Sequence, residues 1–251
     1  MARRGLADGY LGRLLDVITA VGASDDGLTL TELSRQLEVP LSTASRLTAL
    51  LIEREFVERQ PETGRLLPGA GLKLLGFRSL RRSRAYFEME DGLDKLAHAT
   101  NESVSLGRVT QGQLVLTSRR ESSHQLRAVS RVGDLLPVHM TAMGKAVLTY
   151  LTADQRLALL RSDVTDAEGV CVRLEPELER VRQQGYAEDN EEFHIGLRCV
   201  AAPFFDGTGR PIGGVSVSGP AARFTAARAQ AVAPALIEAT RAITQALEDD
   251  T

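Results

Sequence analysis

Apolar residues between positions 7 and 21 recur at three- and four-residue steps, at Leu11, Leu14, Leu15, Ile18 and Val21. That spacing predicts a helix with one buried face. The Gly/Asp/Ser stretch 22–27 ends it. A short helix is predicted from about Thr31 to Leu37, burying Leu33 and Leu37. Pro40 has no amide hydrogen and biases Val39 away from the helical region, so residues 38–40 read as a turn. The next helix begins near Ser42 and runs to about Arg54, with Ala44, Leu47, Leu50 and Leu51 inward. Residues 56–59 alternate like a strand, 61–64 turn, and 65–67 return.

From Gly69 to about Thr100 the pattern is helical, with a kink expected near Gly76. Its basic stretch Arg81-Arg82-Ser83-Arg84 separates two amphipathic halves. Strands are then expected over 103–109 and 113–118, joined by a Gln-Gly turn, with a third over Leu126–Val129. Helices follow over 144–151, 153–160 (N-capped by Thr152) and 175–184, the last ended by Gly185. Strands at 186–189, 200–204 and 212–217 precede a final helix over 225–247. The fold class is α+β, a curved, mostly antiparallel sheet with helices packed on it. The expected domains are residues 1–68, a winged helix-turn-helix; 69–100, a linker helix; and 101–251, a second globular domain.

Composition narrows the class. With 43% hydrophobic and 25% charged residues the chain reads as soluble and globular. No apolar run nears the ~18 residues of a membrane span. No apolar signal core follows Met1-Ala2-Arg3-Arg4, and Cys171 and Cys199 fit neither a disulfide framework nor a zinc motif, so a cytoplasmic protein with free thiols is expected. The net charge is −3, and residues 1–68 hold 8 Lys/Arg against 10 Asp/Glu. A broad basic footprint is therefore missing, and any DNA contact must rest on local geometry and dimerisation.

Helix, short turn, helix is the geometry that lays a second helix in the major groove. Ser42, Thr43, Ser45 and Arg46 fall on the outer face of that helix, where hydroxyls can bond phosphates and arginine can pair with guanine. The hairpin would be the wing, placing Thr63 and Arg65 beside the backbone. The same residues also suit the plain solvated face of a small helical domain. In the second domain Ser216 and Ser218, two apart on a strand, share one face, and Val215 and Val217 the other. That face is either a pocket wall or exposed to solvent. Asp189 lies in an acidic run with Glu188, Glu191 and Glu192, which alone suits a surface turn. An enzymatic alternative would use Cys199 as nucleophile, or as a sensing thiol, with His194 as base. A metal alternative would use His139, His194 and Cys199. A third would make the N-terminal domain a protein-docking module.

A resemblance weighs these readings. Leu30-Thr31-Glu32-Leu33-Ser34, the run from Val39 to Leu47, and Phe56-Val57-Glu58-Arg59 resemble the isocitrate-lyase-regulator (IclR) family of bacterial transcription factors. So do Leu136-Pro137-Val138-His139, Gly144-Lys145-Ala146-Val147-Leu148, Gly185-Tyr186-Ala187, Glu191-Glu192, the run from Gly196 to Pro203, and Ser216-Val217-Ser218-Gly219-Pro220. The resemblance spans nearly the whole chain in order. It implies a DNA-binding regulator, most simply a repressor of a duplex operator, acting as a homodimer or dimer of dimers. It also implies a GAF-like effector domain, and neither enzymatic activity, cofactor nor metal. The effector, a small organic acid or aromatic metabolite, would meet the amides of Ala142 and Met143, polar groups at Asp189, Cys199, Ser216 and Ser218, and the apolar wall of Leu136. The chain departs from the family at Leu66, Leu67 and Pro68, where the wing usually carries other residues, so recognition should lean on Ser42–Arg46.

Overall fold

The computed structural model describes residues 9–24, 26–80 and 83–250. The chain forms two compact units that divide between residues 82 and 83. Arg3, Arg4, Arg81 and Arg82, read above as basic positions, lie outside the described residues.

The first unit runs α1 (Tyr10–Gly22), α2 (Leu30–Gln36), α3 (Leu41–Glu53), β1 (Val57–Arg59), β2 (Leu66–Pro68) and α4 (Ala70–Leu80). The Thr29 hydroxyl accepts from the Glu32 amide at 3.2 Å and the Glu32 carboxylate accepts from the Thr29 amide at 2.8 Å, a reciprocal cap that starts α2. Pro40 caps α3, and Glu38 turns the chain with a φ of 52°. Val17, Val21, Leu33, Leu47, Val57 and Leu66 are buried together as the core. Leu66 also exchanges two backbone hydrogen bonds with Leu28, so the loop before α2 adds a third line to the hairpin. The helix expected to begin at Gly69 is continuous through Gly76 in α4.

The second unit runs α5 (Arg84–Thr100), β3 (Ser103–Thr110), β4 (Gln113–Arg120), α6 (Ala142–Thr149), α7 (Ala153–Leu160), α8 (Ala167–Gln184), β5 (Ala187–Asn190), β6 (Leu197–Phe205), β7 (Pro211–Pro220) and α9 (Ala226–Asp249). The strands form one antiparallel sheet in the order β4-β3-β7-β6-β5. The β3–β4 turn sets both Gln111 and Gly112 at positive φ, as a tight hairpin demands. Val104, Leu106, Val200, Ala202, Val215 and Val217 point to one face, against α5 and α9. Asp250 secures this layer by accepting from Ser83 Oγ and the Arg84 and Ala85 amides, so the end of α9 caps the start of α5. The other face is roofed by α6 and α8 over a second core that includes Met143, Val147, Leu178 and Ala201.

Two expectations fail here for identifiable reasons. Leu126–Val129 is not a strand: side chains, not a ladder, hold it, since Arg119 and Ser103 both donate to the Ala128 carbonyl. The helix expected to begin at Glu175 begins at Ala167, capped by Asp166 through the Gly169 amide at 3.0 Å. Pro176 sits inside it, and the carbonyl it leaves unbonded belongs to Val172, whose exposure lets water serve it. Among the described residues no helix is long and apolar enough to cross a membrane.

Candidate functional site

In the first unit, α3 turns Ala44 and Leu47 into the core and presents Ser42, Ser45 and Arg46 to solvent, with Thr43 half-buried. Arg46 has no hydrogen bond or ion pair among the described residues, so its guanidinium is available. The wing residues differ. Thr63 Oγ1 donates to Gln60 Oε1 at 2.7 Å. Arg65 donates through Nε to the Asp26 and Gly27 carbonyls and through Nη2 to Gly27 O at 2.9 Å, and it meets Glu32 at 3.3 Å. Arg65 thus pins the hairpin to the loop before α2. Leu66, one of the departures in the wing, is a core residue and points away from solvent.

In the second unit, strand register assembles the site. Asp189 (β5) pairs with Cys199 (β6), Cys199 with Ser218 (β7), and Ser218 with Ser103 (β3). One row over, Ala201, Ser216, Ser105 and Arg119 (β4) are paired in turn. Directly paired residues share a face, so these polar groups all point toward α6. They floor a cavity of about 50 Å³, which Ala142, Met143 and Thr141 of α6 and its cap roof over. Leu136, Ala142, Met143, Asp189, Cys199, Ser216 and Ser218, the seven positions expected from sequence, all line it. Ser105, Arg119, Phe193, His194 and Leu197 line it too and were not expected.

Gly144 lets α6 start hard against the segment before it: a Cβ there would lie 2.2 Å from the Val138 Cα. Thr141 caps α6 by accepting from the Gly144 amide at 3.2 Å, which leaves the Ala142 and Met143 amides without an acceptor among the described residues. Lys145, fully buried one residue further on, meets Glu177 at 2.7 Å and Glu192 at 2.6 Å. This ion triad ties α6 to α8 and to the loop after β5.

The cavity holds unsatisfied polar atoms. Asp189 is 1% exposed. Its Oδ1 accepts from the Glu192 amide at 2.8 Å and the Phe193 amide at 3.3 Å, while Oδ2 is buried with no partner. Burial holds its carboxyl above the usual range. Arg119 Nη1 donates to Ser105 Oγ at 3.0 Å, but its Nε is also buried without a partner. Burial lowers the Arg119 pKa, so the site disfavours its charge as it stands. The Cys199 thiol is pushed up to about 12, first by burial and then by Asp189. A thiol so shifted is protonated and a poor nucleophile, which argues against the cysteine–histidine alternative. His194 lines the same cavity and lies against Phe193, ring centroids 4.1 Å apart. His139 does not line the cavity; its Nδ1 is 3.8 Å from Asp163 Oδ2. No group of three side chains suited to a metal ion occurs among the described residues.

A helix-turn-helix unit joined to an antiparallel-sheet unit with a small, partly open cavity is the architecture of a DNA-binding transcriptional regulator. Residues 11–61 match the IclR helix-turn-helix domain, and residues 79–245 match the bacterial transcriptional regulator IclR C-terminal domain. The chain belongs to the IclR family. It is similar to the HTH-type transcriptional regulator BhcR of Paracoccus denitrificans, 33% identical over 92% of this chain and 84% of that one. It is 30% identical to the transcriptional repressor IclR of Escherichia coli, over 94% of this chain and 89% of that one. Among solved structures, the Thermotoga maritima IclR superposes with a TM-score of 0.66 at 28% identity, covering 95% and 98% of the two chains. An IclR homologue from Microbacterium hydrocarbonoxydans, complexed with 4-hydroxybenzoate, shares the fold, with a TM-score of 0.78 at 20% identity over 96% and 100%.

Proposed function

We propose that this chain is a cytoplasmic, homodimeric repressor whose hold on its operator is set by a small organic acid bound in the second unit. The observation that carries the ligand half is the cavity itself, with unpaired polar groups on the residues that line it. Buried polar atoms are nearly always paired in a folded protein, yet Arg119 and Asp189, which both line this cavity, each keep a buried polar atom without a partner. Free amides at the start of α6 favour a carboxylate or carbonyl oxygen. On this reading Asp189, Cys199, Ser216 and Ser218 bond the polar parts of the ligand, and Leu136 and Met143 line its apolar body.

Operator contact is assigned to Ser42, Thr43, Ser45 and Arg46, with Thr63 and Arg65 nearer the phosphates. The exposed apolar side chains of Leu11 and Leu15 on α1, and of Leu74 and Leu75 on α4, support a covering second copy. Two such units would read two half-sites of one operator. A ligand shifts only an equilibrium whose states it binds unequally. Here the segment best placed to differ is the one joined by Lys145, Glu192 and Asp189, and residues 69–100 carry the change onward. The relatives named as repressors support reading this chain as a repressor.

The test is a gel shift with DNA from upstream of the chain's own gene, titrated with salt and then with small organic acids. Affinity should fall steeply with salt as phosphate contacts release counterions, and an acid that raises the thermal stability of the protein should release the DNA. Absence of any complex at low salt refutes the DNA half. An acid that binds without altering the shift refutes the regulatory half.

A further inference from the structure

The two unsatisfied atoms of the cavity are chemically opposite. Arg119 Nε is a donor on a cation, and Asp189 Oδ2 is an acceptor on a carboxylate. They stand at opposite margins of the polar floor, on β4 and β5, the two outer strands of the sheet. Ser216 and Ser218 of the central strand β7 lie between them. Arg119 also lacks an ion pair among the described residues, although its neighbours have one: Arg120 meets Glu90 and Asp94, and Arg127 meets Glu121. A half-buried guanidinium with a free Nε on a cavity wall lacks a counter-charge that an anionic ligand would supply.

We propose that Arg119 is the specificity-determining residue of this pocket, and that its ligand is a small two-ended molecule, with a carboxylate at Arg119 and a hydroxyl or amino donor at Asp189 Oδ2. This rests on the reading of the cavity as the effector site and deepens it. The order of the strands sets the direction in which the ligand lies. Its anionic end faces Arg119 on β4, and its donor end faces β5, which carries the only carboxylate lining the cavity among the described residues. A plain monocarboxylate satisfies Arg119 and leaves Asp189 Oδ2 orphaned. A dicarboxylate places a second negative charge against Asp189.

The experiment uses the full chain and a matched five-carbon series, with thermal shift and calorimetry as readouts: pentanoate, 5-hydroxypentanoate, 5-aminopentanoate and pentanedioate, then the four- and six-carbon homologues. A charge-assisted hydrogen bond gained at a buried acceptor corresponds to roughly ten- to hundredfold in Kd. The hydroxy or amino acid should therefore bind at least about tenfold more tightly than the plain acid or the diacid, and the better of the two identifies the donor. Arg119→Gln should weaken every carboxylate by a similar factor, and Arg119→Lys should restore part of it in a protein of unchanged circular dichroism. Asp189→Asn should erase the preference for the donor-bearing acid over both the plain acid and the diacid. If the plain acid binds as tightly as its hydroxy and amino forms, or Arg119→Gln binds as wild type does, the orientation is wrong and the pocket reading stands. If no carboxylate of any length binds, the proposal fails together with that reading.

Discussion

The two units carry their candidate sites in opposite ways. On α3 the contact residues lie on a convex surface, and Arg46 is complete only when a partner arrives. In the second unit the polar residues are largely buried, and what marks the site is a deficit: it holds two of the three buried side-chain atoms left unpaired among the described residues. A surface site leaves no trace in the free protein's hydrogen-bond accounting, because water serves it. A buried site does, because nothing else can. The wing sharpens the contrast, since Arg65, expected at DNA, is held by Asp26, Gly27 and Glu32 of its own chain.

The largest test of that contrast removes the support of the enclosed site. Lys145 is fully buried between Glu177 and Glu192, whose side chains are 25% and 39% exposed. Replacing one member of a buried ion pair leaves an uncompensated charge, a loss of about 3–5 kcal/mol. Partial exposure of the two glutamates places Lys145→Met near the lower figure, about 3 kcal/mol. Urea unfolding should show this loss in the second unit alone, with the first unit's transition unmoved. A variant as stable as wild type would mean that the triad does not hold the cavity roof.

The next test separates two arginines that sequence placed together. Arg46 makes no intramolecular bond among the described residues, so Arg46→Ala should change stability by less than about 0.5 kcal/mol. It should also weaken operator binding by about 1–3 kcal/mol, the range of a base or phosphate contact made by arginine. Arg65→Ala should do the reverse: lower the first unit's stability by about 1–2 kcal/mol through its lost carbonyl and carboxylate bonds, with the smaller effect on DNA. Chemical unfolding and a gel shift on both variants check this. Equal stabilities for the two would remove the distinction.

What was legible in the sequence follows the same division. Periodicity placed α1, α2, α3 and α9, and the Gly/Asp/Ser break after α1 and the turn at Pro40 before α3 marked limits, because helix signals are local. Ser216 and Ser218 could be assigned to one face from spacing alone, but whether that face was wet or enclosed could not, since the answer lies in α6 and in Gly144 against Val138. Asp189 read from its acidic neighbours as a surface carboxylate, and only pairing with Cys199 buries it. Arg119 went unread. It follows Ser118 and precedes Arg120 in what looks like an ordinary exposed strand end, and its role depends on β3 lying alongside to supply Ser105. Leu126–Val129 misled for a related reason: its apolar residues have strand character, but the backbone is engaged by side chains from β3 and β4.

The smallest effect tests the enclosure through pH. Burial raises the Asp189 carboxyl above its ordinary 3.8, against the amides of Glu192 and Phe193 and nearby Lys145, which act to lower it; the charge of Glu192 adds to the rise. The folded state therefore holds this proton more tightly than the unfolded chain does. Below pH 3.8 both states are protonated and the folded form keeps its full advantage; as pH rises from there through the raised value, that advantage is lost. At neutral pH the buried, ionised Asp189 is then a cost to the second unit. Asp189→Asn retains an oxygen for the Glu192 and Phe193 amides and removes the ionisation. Its melting temperature relative to wild type should accordingly be higher at pH 7 than at pH 3.5, with the difference shrinking as pH falls. A difference that stays constant with pH would mean that Asp189 ionises as freely in the folded protein as in water, and that its side of the cavity is open.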